Sequence, residues 1–193
     1  MKVILAEKPS VTREIAAIVG ARTRHDGYME GSGYQVTWAY GHLVELKEPE
    51  DYDPALKRWS LDVLPFIPER FELKVIQASS SRQQFNVIKR LFRSAEEIVC
   101  ATDAGREGEL IFRYILAMTG CEGKPFRRLW LNSLTPSTIR EALRRMRAGS
   151  EYDRLYAAAR CRSEADWIVG INGTRIRYVR EKESPLKAAS ACR

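Results

Sequence analysis

The chain has 193 residues and 22.1 kDa, 45% of them hydrophobic and 30% charged, with 32 Lys+Arg against 25 Asp+Glu. That length fits one domain, or one domain with a short appendage, and it buries roughly 70% of its unfolded surface, so the composition excludes a disordered chain, a collagen-like chain and a disulfide scaffold. The net charge of +7 favours an acidic partner, most simply nucleic acid, with ordinary solubility as the plain alternative.

Lys2–Glu7 reads as a short apolar strand. Ser10 is the expected N-cap of a helix in which Ile15, Ile18 and Val19 recur at helical spacing, closed by Gly20. The Gly31-Ser32-Gly33 turn leads into Tyr34–Tyr40, whose alternation is that of a half-buried strand. Residues 47–70 carry Pro49, Pro54, Pro65 and Pro68 and are expected to be irregular. Leu73–Ile76 is a brief strand, and a helix follows from about Ser81 to Phe92. Ile98–Ala101 is a buried-strand run, Asp103-Ala104-Gly105 a turn, and Glu107–Met118 a helix stopped by Gly120. Arg128–Leu131 is the next strand. Pro136 opens a helix with Ile139, Leu143 and Met146 inward and Arg140, Arg144, Arg145 and Arg147 on or near its outer surface. A last long helix covers about Glu151–Tyr178.

Strands alternating with helices predict an α/β fold with a mainly parallel sheet flanked by helices and a C-terminal helical extension. Arg113 breaks the apolar segment Leu110–Met118, well short of the ~18 apolar residues of a membrane span, so no membrane partner is expected. Met1-Lys2 run directly into Val3-Ile4-Leu5, so no signal peptide is expected. Cys100, Cys121, Cys161 and Cys192 are widely spaced with no CxxC, which predicts no zinc site and a reduced, cytoplasmic setting.

Ligand chemistry in parallel sheets gathers beyond the carboxyl ends of the strands, where Glu7 and Asp103 both fall. Two acids at adjacent strand ends suit Mg²⁺, a hard cation that needs only one or two carboxylates when phosphate and water supply the rest. The segment Asp103-Ala104-Gly105-Arg106-Glu107-Gly108-Glu109 adds a cation at the helix start and two further acids. Glu109 points away from Glu107 on a helix, and its simplest reading is a favourable charge at the helix N-terminus, about 0.3–1 kcal/mol. Lys8 is either a phosphate contact or a counter-ion for its neighbours, and Arg106 is open to the same two readings. No GxxxxGK[ST] is present, so P-loop chemistry has little support.

Glu7-Lys8-Pro9-Ser10, Gly41-His42-Leu43 and Asp103-Ala-Gly-Arg-Glu-Gly-Glu109 together resemble the Toprim domain of type IA DNA topoisomerases. The stretch Arg162-Ser-Glu-Ala-Asp-Trp-Ile-Val-Gly-Ile-Asn-Gly-Thr-Arg175 resembles the topoisomerase III branch in particular. The resemblance implies a Toprim, Rossmann-like domain over residues 1–150 and the first helix of the following domain over 151–178; the end of the chain resembles neither the family's continuation nor a packed element, and 179–193 is expected to be a disordered tail. It implies a Mg²⁺-dependent enzyme that cuts one DNA strand through a tyrosyl-phosphate bond, passes another strand and reseals. Glu7, Asp103 and Glu107 match the metal-binding acids, and Lys8 matches a lysine at the scissile phosphate. Trp59, Trp167 and Arg175 match positions that touch single-stranded DNA, and Arg106 is a further candidate for that role. Trp59 follows Lys57-Arg58, so a base stacked there could gain about 1–3 kcal/mol. A loop anchor remains the alternative for Trp59, and a core position for Trp167. Arg162 matches the arginine support of the catalytic site, although it also stands four residues before Asp166 and can simply pair with it.

Two departures stand out. Gly105 occupies the place of the middle acid in the common Asp-x-Asp-x-Glu pattern. None of the eight tyrosines matches the context of the family's nucleophile, which lies in a later domain, so the chain is expected to be an incomplete catalyst. A stand-alone DNA-binding or regulatory module and a Toprim nuclease are the competing readings, because a fold alone does not fix a function.

Overall fold

The computed structural model of the chain describes residues 1–183. Most of the expected tail therefore lies outside the described residues, while residues 179–183 continue the last helix. β1 (Lys2–Ala6) has Val3, Ile4, Leu5 and Ala6 all fully buried. A strand covered on both faces reads as an unbroken apolar run for this reason. α1 (Pro9–Val19) starts earlier than a Ser10 cap predicts. Lys8 is the extended N-cap residue, and Pro9, whose ring presets φ for a helix, takes the first helical position. Gly20 ends the helix at φ 80°, where only glycine is free of strain.

β2 (Thr23–His25), β3 (Tyr28–Gly31) and β4 (Tyr34–Trp38) form an antiparallel meander. β5 (Val44–Leu46) leads into α2 (Pro49–Tyr52), one turn long, and two short 3₁₀ segments at Pro54–Lys57 and Leu61–Val63. β6 (Leu73–Val75) pairs with β5 in a separate ribbon. Then follow α3 (Ser79–Ser94), β7 (Glu97–Ala101), α4 (Arg106–Met118), β8 (Phe126–Arg128), α5 (Pro136–Arg144), β9 (Arg147–Ala148) and α6 (Asp153–Glu183). β8 lies earlier than the expected Arg128–Leu131, and β2 and β9, short edge strands with exposed residues, carry no apolar signal.

The main sheet has the order β2-β3-β4-β1-β7-β8-β9. Its centre, β4-β1-β7-β8, is parallel, and antiparallel strands form both edges. The mainly parallel, helix-flanked sheet expected from the sequence is thus observed. Ile4, Ala6, Val36 and Val99 turn to one face, where they pack with Val11 and Ile15 of α1 and Ile139 of α5. By pleat alternation Val3, Leu5 and Cys100 turn to the other face. α3 joins that side: Gln84 Nε2 reaches Thr37 Oγ1 at 3.0 Å, and Thr37 stands next to Val36 on the opposite pleat. Phe92 of α3 meets Phe112 of α4 with ring centroids 6.1 Å apart. Full burial of each such side chain contributes about 1.5–3 kcal/mol.

Two compact units divide the chain. The first comprises Met1–Glu45 and Leu73–Arg160 and holds the main sheet; the second comprises Leu46–Glu72 and the chain from Cys161 onward. Within the second unit, side chains of α6 organise the proline-rich excursion. Asn172 Oδ1 accepts from Phe66 N at 2.7 Å and its Nδ2 donates to Phe66 O at 2.9 Å. Trp167 sets its ring edge-on to Phe66 and Phe71, at 6.2 and 5.5 Å between centroids. Among the described residues no helix is long and apolar enough to cross a membrane.

Candidate functional site

β1 and β7 are parallel neighbours, with Ala6 opposite Ala101 at their carboxyl ends. The helix after β1 goes to one face of the sheet and the helix after β7 to the other. Diverging connections open a crevice between the two strand ends, the usual ligand position in such sheets. Glu7 and Lys8 leave β1 there, and Asp103 leaves β7. Lys8 Nζ donates to Asp103 Oδ2 at 2.9 Å, and the Asp103 backbone N–H donates to Glu7 Oε2 at 3.2 Å. The hydrogen bond to Asp103, followed by the charges of Asp103 and Glu7, raises the Lys8 pKa above its ordinary value. Lys8 and Asp103 remain more than half exposed, beside an open hollow of about 270 Å³ that Asn132 and Ser133 also line.

Asp103 is held from beneath by a buried network that its exposed charges do not announce. Arg128, at the end of β8, is 1% exposed. Its Nη1 donates to the carbonyls of Cys100 and Thr102 at 3.2 and 2.9 Å, and its Nη2 donates to that of Asp103 at 2.8 Å. Glu109 is the counter-charge. Fully buried, it accepts from Arg113 Nε at 2.9 Å, and its Oε2 lies 3.2 Å from Arg128 Nε, an ion-pair contact too oblique for a hydrogen bond. Glu109 is therefore more than a charge placed to suit a helix end. Arg113 continues the chain of contacts to Gly149 O at 2.9 Å and Asp153 Oδ1 at 2.7 Å. Burial works against the Arg113 charge, and the hydrogen bonds to Asp153 and Glu109 outweigh it and raise its pKa. The one sequence signal for this network was the i,i+4 spacing of Glu109 and Arg113.

Gly108 completes the support. A Cβ there would lie 2.1 Å from the Asp103 carbonyl oxygen and 2.8 Å from its nitrogen, so α4 meets this loop at a distance only glycine permits. Thr102 Oγ1 donates to Gly108 O at 2.7 Å and fastens the same contact.

Glu107 is placed differently. After β4 the chain turns through Tyr40 at φ 53° and Gly41 at φ 86°, and Gly41 N donates to Glu7 O at 3.4 Å. That turn presents His42 to Glu107, Nε2 to Oε1 at 2.5 Å. Among the described residues no three metal-ligating side chains are gathered into one cluster. Glu7 and Asp103 stand together, whereas Glu107 is engaged with His42. Arg106, the first residue of α4, is exposed.

The other candidates belong to the second unit. Trp59 is 36% exposed and lies under the Arg175 guanidinium at 4.8 Å, edge-on to Tyr178 at 5.1 Å between centroids. Arg175 is itself only 4% exposed, and it donates to Leu56 O at 2.9 Å and contacts Glu50 Oε2 at 2.8 Å. Its visible work is to hold the loop that carries Trp59. Lys57, Arg58, Trp59, Tyr178 and Lys182 line a hollow of about 660 Å³, basic and aromatic in character. Trp167 is half-buried among its phenylalanines, and Arg162 is exposed with Asp166 Oδ2 3.5 Å from its Nε.

The chain is 48% identical over 176 residues to DNA topoisomerase 3 of Shouchella clausii, a match covering 90% of this chain and 24% of that protein. It is 49% identical over 174 residues to DNA topoisomerase 3 of Staphylococcus epidermidis, covering 89% of this chain and again 24% of the relative. The chain therefore spans about a quarter of the length of these curated relatives. Among solved structures, full-length topoisomerase I from Thermotoga maritima aligns with a TM-score of 0.58 and 26% identity, over 86% of this chain and 24% of that one. Residues 2–134, from the start of β1 to the turn before α5, match the Toprim domain, and the chain belongs to the Toprim family.

Proposed function

We propose that the chain is the Mg²⁺- and phosphate-holding part of a type IA DNA topoisomerase, acting in the cytoplasm on single-stranded DNA. The observation that carries this reading is the meeting of Glu7, Lys8 and Asp103 at two adjacent strand ends, with Lys8 Nζ 2.9 Å from Asp103 Oδ2. The donor set fits the metal: two hard carboxylates at an open crevice leave room for the water and phosphate oxygens that Mg²⁺ requires. Glu7 and Asp103 would hold the ion, with Glu107 the third acid once it leaves His42. The bound ion would neutralise phosphate charge and orient the reacting oxygens. Lys8 would exchange Asp103 for the scissile phosphate, trading one anionic partner for another.

Trp59 would offer its exposed edge to a base, with Arg175 positioning it, and Arg106 would reach a neighbouring phosphate. Trp167 and Arg162 complete the set proposed for DNA contact and catalytic support. The attacking tyrosine would come from topoisomerase domains outside these 193 residues. The chain alone is thus expected to leave supercoiled DNA unrelaxed.

Titration calorimetry with MgCl₂ tests the metal assignment. Glu7→Gln and Asp103→Asn are each expected to weaken Mg²⁺ by about tenfold or more, the loss of one ligand charge at a partly exposed site. A wild-type chain that takes up no Mg²⁺ would overturn the assignment, and relaxation by the chain alone would overturn the division of labour. Mg²⁺-dependent nicking that Asp103→Asn abolishes would instead mark a nuclease.

Gly105 offers the converse experiment. Its φ of 169° is extended backbone open to any residue, and nothing lies within 4 Å of a Cβ added there. Gly105→Asp is expected to fold normally and to bind Mg²⁺ about tenfold more tightly, because an extra acid raises the ligand charge. Unchanged affinity would mean that this position does not face the ion.

A further inference from the structure

The arginines of α5 and the turn after it have no part in the site described above. Residues 140–147 carry Arg140, Arg144, Arg145 and Arg147 against the single acid Glu141. Beside them lies a second hollow of about 290 Å³, lined by Arg128, Trp130, Asn132, Arg145, Arg147 and Tyr152. Its floor is rigid: Trp130 and Tyr152 stack at 5.3 Å with 17° between their planes, and the buried Arg128 guanidinium lies 5.1 Å from the Trp130 ring. Its rim is exposed charge. Arg145 contacts Glu141 at 3.1 Å and Arg147 contacts Glu151 at 3.8 Å, both pairs in solvent with more than half of each side chain exposed. Exposed i,i+4 pairs contribute only about 0.3–0.5 kcal/mol, so a phosphate can displace either acid at little cost. Asn132 lines this hollow and also the one beside Lys8 and Asp103, so the two are neighbours that share one wall residue.

We propose that the hollow rimmed by Arg145 and Arg147 binds the phosphodiester backbone of the DNA strand as it leaves the Lys8 site past Asn132. The stacked rings supply a stiff floor and the two guanidiniums supply phosphate contacts that position without reading sequence. The proposal rests on the reading that a DNA phosphate occupies the Lys8 site.

The test is fluorescence anisotropy of a labelled oligothymidylate with the full chain, at salt concentrations from 50 to 200 mM. Each phosphate contact on a single strand contributes about 0.7 to the slope of log K against log salt. Arg145→Ala/Arg147→Ala is therefore expected to lower the slope by about 1.4, so its loss of affinity across that range is about sevenfold smaller than the wild-type loss. Arg145→Lys/Arg147→Lys is expected to keep the wild-type slope, and Mg²⁺ affinity without DNA is expected to stay unchanged in both variants. A wild-type slope in the alanine variant overturns this proposal alone. No affinity of the wild-type chain for the oligonucleotide overturns both this proposal and the DNA reading of the Lys8 site. Polyglutamate competing as well as DNA, with equal sensitivity to the double substitution, would overturn it in favour of an acidic protein partner.

Discussion

Arg128→Met is expected to lower the stability of the chain by about 3–5 kcal/mol, the usual consequence of leaving one member of a buried ion pair without its partner. Stabilities of single domains are about 5–15 kcal/mol, so this one change removes a large part of the total. For a chain of this size the loss corresponds to a fall in Tm of about 6–20 °C, readable by circular dichroism. The cause is double. Glu109, fully buried, keeps Arg113 but loses the contact at its Oε2, and the carbonyls of Cys100, Thr102 and Asp103 lose their common donor. Those two consequences can be separated. Adding Glu109→Leu to Arg128→Met removes the buried carboxylate left one cation short, while Arg113 keeps Asp153 and the Gly149 carbonyl, and is expected to recover part of the stability, since apolar replacement of buried ionic partners is often neutral or better. It restores no donor to the Asp103 carbonyl, so Mg²⁺ affinity is expected to stay low. Recovery of both would show that Arg128 balances charge and does not position Asp103. A Tm unchanged by Arg128→Met would remove the network from any account of stability.

Gly108→Ala is expected to damage the site more than its single methyl group suggests. The added carbon would meet backbone, with the Asp103 oxygen at 2.1 Å, and backbone cannot rotate away as the end of a side chain can. Overpacking of this kind costs about 1–3 kcal/mol, and relief must come from moving the loop that carries Asp103. Displacing a functional group by about 1 Å can cost a hundredfold in function, so a loss of Mg²⁺ affinity well beyond tenfold is expected in calorimetry. Gly173→Ala, in α6 with nothing within 4 Å of the new carbon, is the control, expected to be neutral or stabilising by up to about 1 kcal/mol. Equal behaviour of the two variants would remove the close approach from the account of the site.

The legible parts of the fold are those where burial and periodicity agree. β1 and β7 are apolar runs because both of their faces are covered, and α1 and α5 show their inward residues at helical spacing. The meeting of Glu7, Lys8 and Asp103 in the candidate site is legible as well, because they are charges at strand ends with no packing task to explain them. The supporting half was hidden by the same logic applied in reverse. Arg128 is wholly buried, yet the Arg127-Arg128 pair has the polarity of a surface, which moved the expected strand to its apolar neighbours. Beside Glu107, from which it does point away, Glu109 reads as a helix-end charge. Its relevant neighbours are Phe112 and Arg113, three and four residues on, which share its inward side. Gly108 carried no signal at all, because what it avoids is a backbone atom of a different element.

The connectivity of the two compact units has a practical consequence. The chain passes from the first unit to the second after Glu45, returns at Leu73 and crosses again after Arg160. Neither unit is one uninterrupted stretch of sequence, so a single proteolytic cut can never release one of them whole. The two ends of the inserted segment nevertheless meet in the β5–β6 ribbon, where Lys74 Nζ lies 3.8 Å from Glu45 Oε1. A tight turn of a few residues could therefore replace 46–72, closing the sheet-bearing unit into a minimal module that keeps Glu7, Lys8 and Asp103 and leaves Trp59 behind.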